Sequence, residues 1–127
     1  MSAAPESSTC VVLGAGSWGT ALAIQLARLS RPTVLWGRDP AHAADLARQR
    51  SNARYLPQAE FPDSLRVEAD LAAAVRSAPD LLIAVPSHAL RLLLQEIAPH
   101  LAAGARVSWA TKGFELAIGL LSHEVVR

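Results

Sequence analysis

Gly14, Gly16 and Gly19 stand in a Gly-x-Gly-x-x-Gly arrangement, entered by the apolar run Val11-Val12-Leu13 and left by Thr20-Ala21-Leu22-Ala23. The order reads as strand, tight turn and helix start, the arrangement that binds the pyrophosphate of a dinucleotide. Gly14 permits a turn that a residue with a Cβ resists. Gly16 lets the backbone approach the phosphates, and Gly19 lets the helix lie close on the strand. The first N–H groups of that helix lack internal partners, and the helix dipole favours an anion there. The same glycines would also serve a turn that only packs a strand against a helix. The strand and helix patterns on either side favour the phosphate cradle.

Other residues able to do chemistry lie at the ends of later strands. Trp36-Gly37-Arg38-Asp39 occupies the place, about twenty residues on, where an acidic residue usually accepts from the ribose 2′-OH of NAD. Arg38 there can pair with a 2′-phosphate and stack on adenine, which favours NADP over NAD. Asp39 has a competing task as a helix cap. Val85-Pro86-Ser87-His88 ends the strongest strand after the first; Pro86 forces a turn that lets backbone groups face a cofactor. A histidine is a residue type suited to proton transfer, but His88 has no orienting carboxylate nearby in sequence, so it reads as a polar residue of a first helical turn. Lys112, in Thr111-Lys112-Gly113, can polarise a carbonyl oxygen or hold a phosphate at the mouth of the same crevice. Tyr55, in Asn52-x-x-Tyr55-Leu56-Pro57, either covers a cofactor or pins its loop to the core. His42, His100 and His123 show no metal-ligand spacing and read as surface residues, and no Cys, His and carboxylate cluster suggests a metal.

These residues need a scaffold that brings strand ends together. Strands are expected at about residues 9–13, 33–36, 65–67, 80–85 and 105–110. Helices are expected at about 17–29, 40–50, 71–76 and 89–97, with the start of one more over 120–127. Ala21, Leu22, Ile24, Leu26 and Leu29 make the expected buried face of the first helix. Asp39 and Asp70 are the expected N-caps of the second and third helices, with Pro40 at a first helical position. Residues 51–63 read as a loop. Strands alternating with helices give βαβ units and right-handed crossovers. The expected fold is α/β, a Rossmann-type doubly wound parallel sheet with helices on both faces. Ligands of such sheets bind beyond the carboxyl ends of the strands. Four stretches should therefore meet there: Gly14–Gly19, Gly37–Asp39, Val85–His88 and Ala110–Gly113.

Composition narrows the function classes. The 127 residues suffice for one domain with its own core, and residues 9–127 read as that dinucleotide-binding domain behind a flexible tail, 1–8. A formal net charge of +1 gives no electrostatic reason to expect nucleic acid or an anionic membrane. No apolar run is long enough to span a bilayer. The lone cysteine, Cys10, permits no intrachain disulfide and reads as a small apolar residue of the first strand, in keeping with a reducing, cytoplasmic setting.

Taken together, Gly14–Ala23, Leu35–Asp39, Asn52-x-x-Tyr55-Leu56-Pro57, Val85–His88 and Trp109-Ala110-Thr111-Lys112-Gly113 resemble bacterial NAD(P)-dependent glycerol-3-phosphate dehydrogenase. The motifs follow that family's order and span nearly the whole chain from residue 10. The resemblance implies reversible hydride transfer between NAD(P)H and the pair dihydroxyacetone phosphate and sn-glycerol 3-phosphate, in glycerophospholipid synthesis. It implies cofactor contacts from Ser17, Trp18, Arg38 and Tyr55, and contacts of Lys112 with both cofactor and substrate. A homodimer is one assembly to expect. The family also has a second, helical domain carrying the general acid/base lysine and the groups for substrate phosphate, and the chain ends before any of it. The expectation is a fragment that binds dinucleotide weakly and turns over little by itself. A non-catalytic dinucleotide-binding or redox-sensing module is the alternative, although it would have no need of Lys112 at the substrate mouth. Another dehydrogenase of the same fold is disfavoured by the Asn52–Pro57 loop and the Trp109–Gly113 stretch.

Overall fold

The computed structural model describes residues 9–29, 31–54 and 56–109. Five short parallel strands make the sheet: β1 (Cys10–Leu13), β2 (Thr33–Trp36), β5 (Leu65–Glu68), β6 (Asp80–Ile83) and β7 (Arg106–Trp109). Their order is β5-β2-β1-β6-β7. The chain leaves β1 toward β2 on one side and takes up β6 on the other. That reversal puts a topological switch point between β1 and β6, where ligands of open α/β sheets bind. Register is set by Leu13 beside both Trp36 and Ile83, so the carboxyl ends of three strands finish level.

Alternation along the strands builds two cores. Val11, Leu13, Val34, Trp36, Leu81 and Ile83 face one side. They pack on α3 (Leu71–Arg76) and α4 (Ser87–Ile97), through Val75, Leu93 and Ile97. Val12, Leu35 and Leu65 face the other side, against α1 (Ser17–Arg28) and α2 (Pro40–Gln49). Helices on both faces of a parallel sheet are the expected architecture, and Cys10 is buried in β1 as expected.

The structure corrects three expectations. Residues 51–63 are not simply a loop: β3 (Ser51–Asn52) and β4 (Leu56–Glu60) pair antiparallel, with an irregular register between Ser51 and Asn52. The pairing is made by backbone groups in a segment whose asparagine and prolines look like a loop, so side-chain patterning does not reveal it. The buried face of α1 is Gly19, Thr20, Ala23, Ile24 and Ala27, while Leu29 is exposed. Small residues let this helix lie close on the sheet, and its larger leucines are left at the margin. His42 is buried rather than on the surface, because Asn52 gives it a hydrogen-bond partner.

Residues 1–8, Tyr55, Ala110–Gly113 with Lys112, His123 and the stretch 120–127 lie outside the described residues. No helix of the described residues is long and apolar enough to cross a membrane.

Candidate functional site

The glycine turn sits at the switch point and is held from both sides. Gly14 N–H donates to Trp36 O at 2.8 Å, and Ala84 N–H donates to Leu13 O at 2.9 Å. Gly14 has φ +129°, and a Cβ there would lie 2.4 Å from Ala84 O. A side chain at Gly14 would therefore both strain the backbone and push β1 from β6. At Gly19 a Cβ would fall 1.8 Å from Gly14 O, so the absence of a side chain lets α1 close onto the turn. At Gly16 a Cβ would meet nothing within 4 Å. The first and third glycines close the turn against protein, while the middle one faces open space. That division of labour is the one a phosphate cradle requires.

The helix that starts there lacks a cap. Gly16 is its N-cap, with no side-chain hydrogen bond to the first turn. By contrast, Asp39 Oδ1 accepts from Ala41 N–H at 3.0 Å and Asp70 Oδ1 accepts from Ala72 N–H at 3.1 Å. Asp39 is thus occupied as a cap, which weighs against its serving as a ribose ligand. The N-terminus of α4, capped by Pro86 without a side-chain hydrogen bond, is the neighbouring uncapped one. Pro86 and His88 are exposed, His88 in the first turn of α4, and no described group orients His88 as a proton carrier. Ser17 is exposed beside the turn. Trp18 is half-buried, and its buried Nε1–H has no acceptor among the described residues.

Arg38 leaves the end of β2 with its guanidinium 5.4 Å from the Trp36 ring centroid. Trp36 itself is fixed by Nε1–H donating to Ala69 O at 3.1 Å. Arg38 Nη2 donates to Glu96 Oε1 at 2.7 Å, and Nη1 donates to Oε2 at 3.3 Å. The hydrogen bonds hold the Glu96 carboxyl below its usual range and raise the Arg38 guanidinium further, so both are charged across the working range of pH. The planar guanidinium, stacked on one side and paired at the edge, is suited to a phosphate or an adenine face.

Three stretches expected to converge do so. Gly14 abuts Ala84 and Val85, and a Cβ at Gly37 would lie 2.8 Å from the Ala15 Cβ. The fourth stretch, Ala110–Gly113, and Tyr55 lie outside the described residues. Residue type and spacing do not mark Glu96 or Thr20 as site residues, and they place His42 on the surface. Asn52 alone carried a signal, as the first residue of the Asn-x-x-Tyr-Leu-Pro stretch. The described residues contain no group of three His, Cys, Asp or Glu able to hold a metal.

The family model of NAD-dependent glycerol-3-phosphate dehydrogenase N-terminus matches residues 9–127. The chain is 58% identical over 116 residues to glycerol-3-phosphate dehydrogenase [NAD(P)+] of Xanthomonas euvesicatoria, covering 91% of the chain and 34% of that protein. It is 49% identical over 120 residues to the Yersinia pestis protein of the same name, covering 94% and 35%. It is also similar to the crystal structure of glycerol-3-phosphate dehydrogenase from Coxiella burnetii, with TM-score 0.82 and 40% identity over 96% of this chain and 37% of that one. The chain thus spans about a third of the length of the relatives it matches. With the glycine turn at the switch point and the match running from β1 to residue 127, the chain belongs to the family of the N-terminal region of NAD-dependent glycerol-3-phosphate dehydrogenase.

Proposed function

We propose that residues 9–127 are the dinucleotide-binding domain of an NAD(P)-dependent glycerol-3-phosphate dehydrogenase, holding NADP or NAD for reduction of dihydroxyacetone phosphate or oxidation of sn-glycerol 3-phosphate. The observation that carries the reading is the open, uncapped start of α1 at Gly16, facing the β1–β6 switch point. Unpaired N–H groups at a helix start, with no side chain in the way, suit a pyrophosphate. The orphaned Trp18 Nε1–H at the same turn also fits a ligand rich in acceptors.

In this reading Gly14, Gly16 and Gly19 shape the cradle, and Ser17 and Trp18 line it. Pro86 borders it from the α4 side. Arg38 meets the adenosine end and favours a 2′-phosphate, with NADP preferred over NAD. Tyr55 contacts the cofactor, and Lys112 contacts cofactor and substrate, polarising the substrate carbonyl. The dinucleotide, when bound, supplies the hydride. The proposal includes a cytoplasmic setting, a role in glycerophospholipid synthesis, and a homodimer as one assembly.

The test is a titration with NADPH and NADH, followed by fluorescence of Trp18, Trp36 and Trp109. Saturable quenching by both, stronger with NADPH, is expected. No response to either would remove the dinucleotide reading. Arg38→Asp should weaken NADPH more than NADH, and an equal loss for both would mean Arg38 does not read the 2′-phosphate.

A further inference from the structure

Against the glycine turn lies a buried set of hydrogen bonds. Asn52 is 0% exposed and sits at the end of β3. Its Nδ2 donates to Ala15 O at 3.0 Å and to Thr20 Oγ1 at 2.7 Å. Its Oδ1 lies 3.1 Å from His42 Nε2. Because both Nδ2 hydrogens are spent on oxygens, Oδ1 is the acceptor and His42 Nε2–H is the donor. Thr20 is fully buried in the first turns of α1, and His42 is buried in the first turn of α2. One carboxamide therefore ties together the glycine turn, α1, the β3–β4 hairpin and the helix that follows Arg38.

The bond to Ala15 is the one with consequence for binding. A trans peptide directs its N–H opposite to its C=O. With the Ala15 carbonyl drawn toward Asn52, the Gly16 N–H is turned away from Asn52, to the other side of the turn. Gly16 is the exposed, uncapped N-cap described above. A buried amide is a costly way to fill space, since each of its groups must find a partner. Here those partners fix one peptide of the phosphate cradle.

We propose that Asn52 is a positioning residue for the pyrophosphate of the bound dinucleotide, holding the Ala15–Gly16 peptide in its binding orientation, with His42 orienting the Asn52 carboxamide. The proposal rests on the dinucleotide reading above. It assigns to Asn52 no contact with the ligand. Its effect is confined to ligands that carry a pyrophosphate, because the adenosine end meets Arg38 instead.

The experiment compares Asn52→Ala, His42→Leu and His42→Gln with the unaltered chain, using NADPH, ADP-ribose and adenosine 2′-phosphate as ligands. Asn52→Ala should weaken NADPH and ADP-ribose about tenfold or more, the scale of a buried hydrogen-bond partner lost, and leave adenosine 2′-phosphate unchanged. His42→Leu should weaken the pyrophosphate ligands roughly threefold, by the smaller loss of an orienting bond. His42→Gln, which keeps a donor for Oδ1, should restore them. Equal weakening of all three ligands, or of none, would overturn the proposal. If Asn52→Ala does not fold, the unaltered chain still decides. Its Asn52 side-chain amide signals in a nitrogen-15 spectrum should shift with ADP-ribose and stay still with adenosine 2′-phosphate. Signals unmoved by ADP-ribose would count against a positioning role. If the unaltered chain binds neither NADPH nor ADP-ribose, the dinucleotide reading itself fails, and this inference falls with it.

Discussion

The two edges of the parallel sheet treat polar groups in opposite ways. At the amino edge, Asp80 opens β6 between two arginines. Arg31 donates from Nη2 to Oδ2, and Arg106 donates from Nε to Oδ1 at 2.7 Å and from Nη2 to Oδ2 at 3.0 Å. Charge there is spent inside the protein, beside the buried Cys10, whose strand pairs Cys10 with Asp80. At the carboxyl edge the ion pair of Arg38 with Glu96 lies at the surface, and the turn leaves the α1 N-terminus without a side-chain cap and the Gly16 side open. The same sheet thus has one end closed by its own ions and one end arranged for an anion from outside. Stability should depend on the first, and binding on the second.

Glycine substitutions should cut across that division most sharply. Gly19→Ala would put a methyl against the Gly14 carbonyl, backbone against which nothing flexible can yield. The expected cost is about 3 kcal/mol or more of fold stability, with dinucleotide binding lost as well. Gly16→Ala meets open space and a φ of −77° that alanine readily adopts. It should change stability by no more than about 0.5 kcal/mol, while affinity for NADPH falls as the methyl keeps phosphate from the backbone. Thermal midpoints and NADPH titrations of the two variants check this. Equal loss of stability would show that Gly16 too is needed for packing.

The amino edge should yield the converse pattern. Asp80→Ala leaves two guanidinium groups facing each other without their carboxylate. Because Arg106 is largely exposed, the expected loss is only about 1–2 kcal/mol in denaturant unfolding. NADPH affinity should not change, and a weakened affinity would mean the two edges are coupled. An effect of similar size, seen only in alkali, belongs to Cys10. Burial pushes its thiol up to about 11, and Asp80 adds to the rise, against the Arg31 guanidinium that favours the thiolate. The folded value lies above the ordinary one, so this contribution is fully present below about pH 9 and is lost as pH rises toward 11. Unfolding at pH 8 and pH 10.5 should show a loss of roughly 2 kcal/mol that Cys10→Ala removes. Thiol reagents should react with Cys10 only once the chain opens.

The sheet and its helices were legible because their signals are local. Val11–Leu13, Thr33–Trp36 and Asp80–Ile83 are short apolar runs followed by helix starts, and Asp39-Pro40 and Asp70 mark caps by residue type. The helix Leu71–Arg76 starts where its Asp70 cap requires. The turn at Gly14–Gly19 was legible for the same reason, since three glycines at fixed spacing speak for backbone geometry directly. What stayed hidden is long-range. Asn52 and His42 are polar residue types that usually face water, and only the approach of β3 to α2 and α1 buries them. The β3–β4 hairpin is made of backbone pairing in a stretch with no alternating pattern. The reach of Arg38 to Glu96 joins residues 58 apart in sequence, on different elements, and no spacing rule connects them.

That last contact gives the finest test of how the carboxyl edge is arranged. If Arg38 receives a 2′-phosphate, Glu96 is a rival acceptor for the same guanidinium. An exposed arginine–carboxylate pair is worth about 0.2–1 kcal/mol, so giving it up costs a ligand little. Glu96→Gln should therefore tighten NADPH by about twofold and leave NADH unchanged, because the amide accepts more weakly and repels no phosphate. The pair also sets a direction with pH. Arg38 holds the Glu96 carboxyl below its ordinary range, so the pair's contribution is present above that range and fades as pH falls through the lowered value. An unchanged NADPH to NADH ratio in Glu96→Gln would mean that Glu96 steadies Arg38 for the ligand rather than competing with it, and the edge would then be preformed at both ends of the dinucleotide.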